Sequence, residues 1–399
     1  MSAMRRCALL LLISSVSACH TPQRQRPTWT AQVDSLPDVI LVKTTAGRVW
    51  GRDRHLVPDL VLGKDGPEEA LFGAPEDVTL LSDGGIVVAD GIGPRVLVFA
   101  PDGGFRRLVG SPGEGPGEYR RITGLIGLPD GGILVHDGRL LRLSRFDSLG
   151  HLRSTRRFEP LWESVRSIAP IAGDRFAVRF FYHRDGFPSR PGYLVFDRAL
   201  EVIDTVPPPD SALHYSSTLG ALQPRLVQAW HPDGYLLYGS SDGYSFDVMR
   251  LQGLPLRIQR DWVPVPVADG EREVEEELRD VLRRRGAAIP VPEVPRFKPA
   301  YKAIYASRTG EIWVSRHTKA VQLWERPADI IEAGGRAGSP YWEPLLLDVF
   351  DTDGRLLGSV TGPPRTDVFA ISCDTVWASV LDRNHVPLVV RFVARPDEG

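Results

Sequence analysis

The chain has 399 residues, of which 42% are apolar and 25% are charged, so it is long enough to bury a substantial core. Its formal net charge of −2 argues against a polybasic nucleic-acid-binding protein. The three cysteines, Cys7, Cys19 and Cys373, are too few for a disulfide scaffold or a four-cysteine zinc site.

The N-terminal segment has the features of an export signal. Arg5 and Arg6 form a cationic start, and the apolar run that follows them is too short to span a bilayer. Val16-Ser-Ala-Cys19 resembles the bacterial lipobox, where a signal peptidase cuts before a cysteine that carries a diacylglycerol. We therefore predict a signal peptide over residues 1–18 and a lipid on Cys19 that anchors the protein to a membrane. Ordinary secretory cleavage at the same place is the alternative interpretation.

Residues 19–37 are polar and contain prolines, so we predict a tether between the lipid and a folded domain at 38–399. His20 stands where inner-membrane lipoproteins of Gram-negative bacteria commonly carry Asp, which favours the outer membrane. No later segment reaches 18 consecutive apolar residues, so we expect no transmembrane helix. Cys373 is the one thiol beyond the N-terminal region, and we expect it to be buried and unreactive.

A repeated pattern begins after the tether. Residues 78–99 and 125–146 each contain an apolar strand, an Asp-Gly-Gly turn, a β-branched strand, a polar turn and a third strand that ends in Phe. Asp-Gly between apolar runs is a strong signal for a β-hairpin. Weaker copies follow, and the hairpin turns of the units centre on Gly84, Gly131, Gly173, Gly234, Gly310 and Asp374.

Four antiparallel strands per unit are typical of a β-propeller blade, because one blade cannot bury both of its faces alone. The sequence therefore predicts an all-β fold: a six-bladed β-propeller of four-stranded antiparallel blades with one helical insertion. Such a ring closes when an N-terminal strand completes the last blade, and we assign that role to Val39–Val42. A two-sheet arrangement is the alternative architecture.

Residues 263–299 interrupt the repeats. Apolar residues recur at helical spacing within 269–286, acidic residues fill the first half and Arg283–Arg285 occupies the last turn, where the helix dipole favours cations. An extended Pro-rich stretch follows. We interpret the insertion as a helical excursion over one face of the ring, either a lid or a packed decoration.

The run Gly110-Ser-Pro-Gly-Glu-Gly-Pro-Gly-Glu-Tyr119 lies between the first two units. It resembles the G-x-G-P-G-E-aromatic motif of secreted bacterial six-bladed β-propeller lipoproteins, which are distantly similar to NHL-repeat propellers. The resemblance covers about residues 70–395, including the strand at Glu311–Val314 and the closing segment Asp382–Phe392. It implies six blades, export and frequent lipid anchoring, and it implies no common activity.

Three short patterns are similar to known sites but fit turns better. Gly110–Tyr119 lacks the Lys and Ser/Thr of a phosphate-binding loop, so we interpret it as a turn in which Glu118 accepts backbone N–H groups. Gly239–Gly243 fits G-x-S-x-G, but a strand follows where a nucleophile elbow needs a helix. Asp351–Gly354 lacks the later ligands of a calcium loop, and the nine histidines show no zinc spacing. We therefore predict neither a metal site nor a cofactor.

One set of basic residues is brought together by the predicted ring. The first strand of each blade lines the central channel, and a basic residue lies at or near the start of this strand in five units. These residues are Arg121, Arg166, Arg225, Lys302 and Arg365. Five cations at one channel mouth would attract an anionic glycan or a carboxylate. Because Arg is abundant throughout the chain, chance alone could place several of them there.

These observations favour a non-enzymatic, lipid-anchored envelope propeller that binds a ligand or a partner protein through one rim or the channel mouth. The partner would be a protein, a glycan or an anionic small molecule, and not a nucleic acid. The alternative is a metal-dependent propeller hydrolase or lyase of the lactonase type, which needs several convergent ligands on the inner strands. A purely structural envelope module is the third possibility.

Overall fold

The computed structural model of this chain describes residues 28–157, 167–171, 174–184, 187–206, 222–250, 252–284, 286, 292–324, 339–382 and 384–397. The predicted signal peptide, Cys19 and Arg166 lie outside these ranges.

Six four-stranded antiparallel blades make up the fold within these ranges. From the channel outwards, the strands of blade 1 are Pro75–Leu80, Ile86–Asp90, Arg95–Phe99 and Phe105–Val109. Those of blade 2 are Ile122–Gly127, Ile133–Asp137, Arg142–Phe146 and Leu152–Arg157. Those of blade 3 are Ser167–Ile171, Arg175–Arg184, Phe187–Phe196 and Val202–Val206. Those of blade 4 are Leu226–Trp230, Leu236–Ser240, Ser245–Met249 and Leu256–Arg260. Those of blade 5 are Tyr301–Ala306, Ile312–Arg316, Leu345–Phe350 and Leu356–Gly362. Those of blade 6 are Thr366–Ser372, Thr375–Leu381, Pro387–Pro396 and, as the outer strand, Arg54–Leu62.

The blades form a closed ring. The inner strand of each blade contacts that of the next, and the inner strand of blade 6 contacts that of blade 1. A closed ring leaves few sheet edges unpaired, which is how propellers avoid edge-to-edge association. The predicted all-β, six-bladed propeller is confirmed.

The strand that closes the ring is Arg54–Leu62, and the prediction of Val39–Val42 was wrong. Arg54–Leu62 pairs antiparallel with Pro387–Pro396, the third strand of blade 6. Ile40–Ala46 instead pairs parallel with the outer strand of blade 4. Val42 is buried there in a core cluster with apolar residues of blades 4 and 5. The apolar run that suggested ring closure therefore adds a fifth strand to a different blade.

The predicted tether overlaps this added segment. Thr30–Ser35 forms an antiparallel hairpin with Ile40–Ala46. The indole Nε1 of Trp29 donates to Thr44 Oγ1 at 3.2 Å, which holds the start of the hairpin against its second strand. The boundary drawn at residue 37 therefore falls inside a β-hairpin, and regular structure begins before it.

Each blade is covered on both faces by its neighbours. In Ile86–Asp90, the second strand of blade 1, Val87 packs in a cluster with residues of blade 2, whereas Val88 packs with Trp377 and Val389 of blade 6. Both valines are 0% exposed. Successive side chains of a strand point to opposite faces, so a strand between two neighbours is apolar throughout and does not alternate.

The predicted hairpin turns use residues in the left-handed region. Gly84 and Gly131 have φ angles of 80° and 77°, and Gly234 and Gly310 also have positive φ. Glycine suits such positions because it has no Cβ to clash. Gly173 lies outside the described residues.

The turn of blade 6 corrects the expectation for Cys373. Two residues, Cys373 and Asp374, connect Thr366–Ser372 to Thr375–Leu381, and Cys373 has a φ of 55°. A side chain at the tip of so short a turn projects away from the sheet, and Cys373 is exposed. The prediction of a buried thiol was therefore wrong.

The glycine-rich run between blades 1 and 2 is a compact turn. Ser111–Pro112 pairs parallel with Glu118–Tyr119, and Glu118 Oε2 accepts the N–H of Gly115 at 2.7 Å. The predicted role of Glu118 is thus confirmed. A Cβ on Gly110 would lie 2.4 Å from the buried ring of Tyr119, so only glycine fits there.

The two other turn predictions are also confirmed. Gly239 lies in a strand that a hairpin turn connects to Ser245–Met249, so the G-x-S-x-G pattern has no helix after it. Asp351 Oδ1 accepts the N–H groups of Asp353 and Arg355 at 3.0 and 2.9 Å, as in a side-chain-stabilised turn.

The predicted helical insertion is confirmed as an α-helix at Asp269–Arg284, which we call the cover helix. Its buried residue is the charged Glu271, whereas its apolar side chains are only partly buried. The remaining short elements are a 3-10 turn at Glu68–Ala70 and a two-stranded ribbon of Val321–Gln322 and Tyr341–Trp342.

Candidate functional site

Three of the five predicted basic residues lie around one cavity of about 350 Å³. Arg225 precedes the inner strand of blade 4, Lys302 lies in that of blade 5 and Arg365 precedes that of blade 6. The cavity therefore lies at the end of the ring where the inner strands begin. Arg121 does not line this cavity, and Arg166 lies outside the described residues.

Arg121 occupies the same place in blade 2 that Arg225 occupies in blade 4, and both residues are exposed. The buried Asp137 accepts the backbone N–H groups of Arg120 and Arg121 at 2.7 and 3.3 Å. Asp90 accepts the N–H groups of the corresponding residues in blade 1. The Asp that ends the second strand of these two blades therefore holds the segment that enters the inner strand.

Acidic side chains line the same cavity, so its wall is of mixed charge. Glu271 and Glu275 come from the cover helix, Glu343 from the connection between the second and third strands of blade 5, and Asp367 from the inner strand of blade 6. The cover helix thus contributes two carboxylates to the wall. Both interpretations of the insertion, a lid and a packed decoration, are compatible with this position.

A buried lysine ties the cover helix to blade 5. Lys298 Nζ donates to Glu271 Oε1 at 2.8 Å, to Glu343 Oε1 at 2.9 Å and to the Thr318 carbonyl oxygen at 3.0 Å, and its side chain is 0% exposed. All three N–H groups of this ammonium are therefore used. Lys302 Nζ approaches the same Glu343 at 3.1 Å. We call Lys298, Glu271 and Glu343 the clasp.

Burial sets the protonation states around the clasp. Desolvation raises the pKa of Glu271, and desolvation lowers the pKa of His317 against the attraction of Glu343. Burial alone would raise the pKa of Glu343, but the hydrogen bond from His317 and the ammonium groups of Lys302 and Lys298 bring it well below its ordinary value. His317 is therefore neutral near pH 7, with Nδ1 donating to Glu343 at 2.9 Å and Nε2 left as an acceptor.

No pattern in the sequence indicates that Lys298, His317 and Glu343 form a group. His317 and Glu343 are 26 residues apart, so no motif of fixed spacing connects them. The one local signal is a pair of lysines, Lys298 and Lys302, which lie four residues apart in a chain that contains few lysines.

The described ranges contain neither a cluster of metal-ligating side chains nor a membrane-spanning helix. No group of three or more His, Cys, Asp or Glu side chains there is placed to hold a metal ion. None of the helices in the same ranges is long and apolar enough to cross a membrane.

Comparison with known proteins places the fold among propellers. Residues 65–167 match the DUF5128 family model, described as a 6-bladed beta-propeller. A member of the DUF4221 family from Bacteroides vulgatus superposes with a TM-score of 0.55 at 13% identity, over 87% of this chain and 99% of that chain. A Bacteroides fragilis protein provisionally described as exported superposes with a TM-score of 0.51 at 10% identity, over 90% and 100% of the two chains. No curated protein matches the sequence.

At these identities the structural matches show the fold alone. The family match contains the run Gly110–Tyr119, which first indicated the resemblance to bacterial six-bladed propellers. Together with the closed ring of six blades, it identifies the chain as a six-bladed β-propeller that is similar, over residues 65–167, to the DUF5128 family.

Proposed function

We propose that this protein is an exported, lipid-anchored and non-enzymatic propeller that binds a small polar ligand in the cavity beneath the cover helix. The observation that carries this proposal is the cavity itself, at about 350 Å³ and lined by both basic and acidic side chains. Ligand sites are concave, few per protein and equipped with a small number of convergent polar groups.

The surroundings of the cavity also support a binding role. Its wall combines the starts of three inner strands with the cover helix, so rigid blades hold some of the charged groups and an insertion holds the others. Binding residues are commonly carried on connections that a rigid scaffold positions. Two aromatic residues, Tyr341 and Trp342, give the same wall an apolar surface.

Ligand binding is tested by a thermal-shift screen of small charged metabolites on the purified protein. Ser339 lines the cavity, so Ser339→Trp should fill it and abolish the stabilisation by any ligand that binds there. Ser148→Trp is the matched control, because Ser148 lies in an exposed turn of blade 2. The proposal fails if no compound stabilises the wild type, or if Ser339→Trp responds to the same compounds as the wild type does.

Export and anchoring rest on the N-terminal sequence, with its cationic start, apolar run and Cys19. The provisional description of the Bacteroides fragilis protein as exported is consistent with this proposal. In bacteria fed a labelled fatty acid, the wild type should acquire the label and partition into the membrane fraction, and Cys19→Ser should do neither. Equal labelling of the two proteins would contradict lipidation at Cys19.

The non-enzymatic part of the proposal is tested against the lactonase-type alternative by metal analysis of the purified protein. We expect no stoichiometric divalent ion. One tightly bound ion per chain would favour the enzyme instead.

A further inference from the structure

Arg365 has an unusual backbone conformation at the cavity wall. Its φ is 62°, in the left-handed region that a residue with a long side chain rarely adopts. Such a conformation costs about 1 kcal/mol or more and persists only where the surrounding structure enforces it. The residue immediately precedes the inner strand of blade 6, so this conformation sets the direction in which its side chain leaves the ring.

Two tryptophans hold the guanidinium group of Arg365. Its Cζ lies 5.0 Å from the ring centroid of Trp324 and 5.7 Å from that of Trp342, both within cation–π range. Arg365 Nη2 lies 3.3 Å from His385 Nδ1, and the ring of His385 packs edge-on against Trp324. Aromatic faces thus fix the plane of the guanidinium without neutralising its charge.

The charge of Arg365 has no carboxylate partner among the described residues. Its Nε is buried without a hydrogen-bond partner, and no Asp or Glu of the described ranges forms an ion pair with it. Asp382 is the acidic group near enough to affect Arg365, but its Oδ1 accepts the backbone N–H groups of Asn384 and Val386. An oriented and partly buried guanidinium whose charge no carboxylate of the described residues neutralises is a receptor for an oxyanion.

We propose that Arg365 binds the carboxylate of a small monoanionic ligand whose planar or apolar body lies against Trp342. This inference rests on the proposed ligand-binding function of the cavity and deepens it. Trp342 lines the cavity and also stacks with Arg365, so a group bound to the guanidinium meets this ring. Planar carboxylate oxygens match the two parallel N–H donors of a guanidinium.

The charge of the wall favours a monoanion over a phosphate. Four carboxylates line the cavity beside three basic side chains, and the buried Lys298 compensates two of those carboxylates from behind. The wall is therefore close to neutral, and a dianion would meet repulsion that a single carboxylate largely avoids. A simple cation would be repelled by the positive charge of Arg365.

The probes are benzoate, benzylamine and inorganic phosphate, whose binding to the intact protein is measured by ligand-observed NMR and calorimetry. Benzoate should bind most tightly of the three, and Arg365→Gln should weaken its binding at least about tenfold, because a hydrogen bond to a charged group is lost. Arg365→Lys should bind benzoate with an affinity between those of the wild type and Arg365→Gln, since lysine keeps the charge but lacks the planar pair of N–H donors. Arg121→Gln, which removes the corresponding exposed arginine of blade 2, should bind benzoate as the wild type does.

Three outcomes overturn the inference: tighter binding of phosphate or benzylamine than of benzoate, equal binding of benzoate by Arg365→Gln and the wild type, or no binding of benzoate at millimolar concentration. If benzoate does not bind but other metabolites stabilise the wild type and not Ser339→Trp, the proposed ligand-binding function is retained. Only the inference of a carboxylate ligand is then rejected. Far-UV circular dichroism and the Tm of each variant verify that the ring is folded.

Discussion

Single side chains join neighbouring blades along the channel. Asp77 Oδ2 accepts the N–H of Leu125 at 2.7 Å, and Thr79 Oγ1 accepts that of Gly127 at 3.0 Å, so blade 1 is bonded to the inner strand of blade 2. Burial raises the pKa of Asp77 to about 7, although the N–H groups of Leu125 and Val78 oppose this shift. The carboxyl group therefore changes charge in the range in which proteins are usually kept.

Replacing Asp77 by Asn should reduce the pH dependence of stability. The folded-state pKa of Asp77, about 7, lies above the ordinary value of 3.8, so the native state retains a proton that the unfolded chain releases. This contribution is complete below the unfolded pKa and is lost as pH rises through the folded pKa. At about 1.4 kcal/mol for each pKa unit, the wild type should lose up to about 4 kcal/mol relative to Asp77→Asn between about pH 4 and about pH 8. Denaturant unfolding at a series of pH values measures it.

Asp83→Asn is the control for this comparison. The hydrogen bond from Arg106 and the N–H of Gly85 lower the pKa of Asp83, which lies in an exposed turn of the same blade. Its contribution therefore has the opposite sign: it is present above the unfolded pKa and is lost as pH falls. Parallel stability curves for the wild type and Asp77→Asn would show that Asp77 does not retain its proton in the folded state.

Among the elements, the cover helix depends on a charged anchor more than on an apolar face. Its buried residue is Glu271, which meets Lys298 Nζ at 2.8 Å. A buried ion pair adds little stability compared with apolar residues of the same size, but removing one partner leaves an uncompensated charge, which typically costs about 3–5 kcal/mol. The attachment of the helix should therefore be sensitive to a single substitution.

Lys298→Met should release the cover helix and leave the blades folded. Without the ammonium, the carboxylates of Glu271 and Glu343 lie close together in a buried site, and detachment of the helix lets them regain water. Hydrogen exchange followed by mass spectrometry should show faster exchange over 269–284 and unchanged protection in the second strands of the blades. Glu276→Gln, on the exposed side of the same helix, should exchange as the wild type does. Wild-type protection of 269–284 in Lys298→Met would mean that the clasp does not hold the helix.

The elements that the sequence predicted well are those with local signals. The Asp-Gly-Gly turns at Gly84 and Gly131 fix a hairpin within a few residues, so blades 1 and 2 could be identified from either copy. The closing strand could not be identified in this way. Arg54–Leu62 contains Pro58 and Asp59 at a bulge, which interrupts the alternation of apolar and polar residues expected of a strand. The clasp and the stacking of Arg365 on tryptophans depend on contacts between distant segments, which no local pattern reports.

At the scale of the whole molecule, closure joins the two ends of the propeller. Arg54–Leu62 supplies the outer strand of blade 6 and also touches the outer strand of blade 5 through the parallel pair Val360 and Arg54. Opening this junction would expose sheet edges and the core clusters beneath them. The stability of the ring should therefore respond strongly to a constraint placed at this single seam.

A disulfide across the seam should stabilise the molecule more than one within a blade. Val57 and Val393 are direct partners in adjacent antiparallel strands, where Cβ atoms lie about 4.5–5.5 Å apart, within reach of a small adjustment to disulfide geometry. A bond between cysteines at these positions closes a loop of most of the chain and, in the chain-entropy account, adds roughly 6 kcal/mol. The control is the double variant Leu346→Cys with Thr361→Cys, at positions that are partners within blade 5. A disulfide there closes a short loop and should raise the free energy of unfolding by about 3 kcal/mol.

Both pairs are made with Cys7, Cys19 and Cys373 replaced by Ser, so that no other thiol competes. The free energy of unfolding is measured with each disulfide formed and again after reduction. The seam pair should oxidise readily and give the larger gain, because the unfolded chain loses most freedom when its distant ends are joined. If the Val57–Val393 pair does not oxidise, or gives no more than the pair within blade 5, then Arg54–Leu62 is not the strand on which closure of the ring depends.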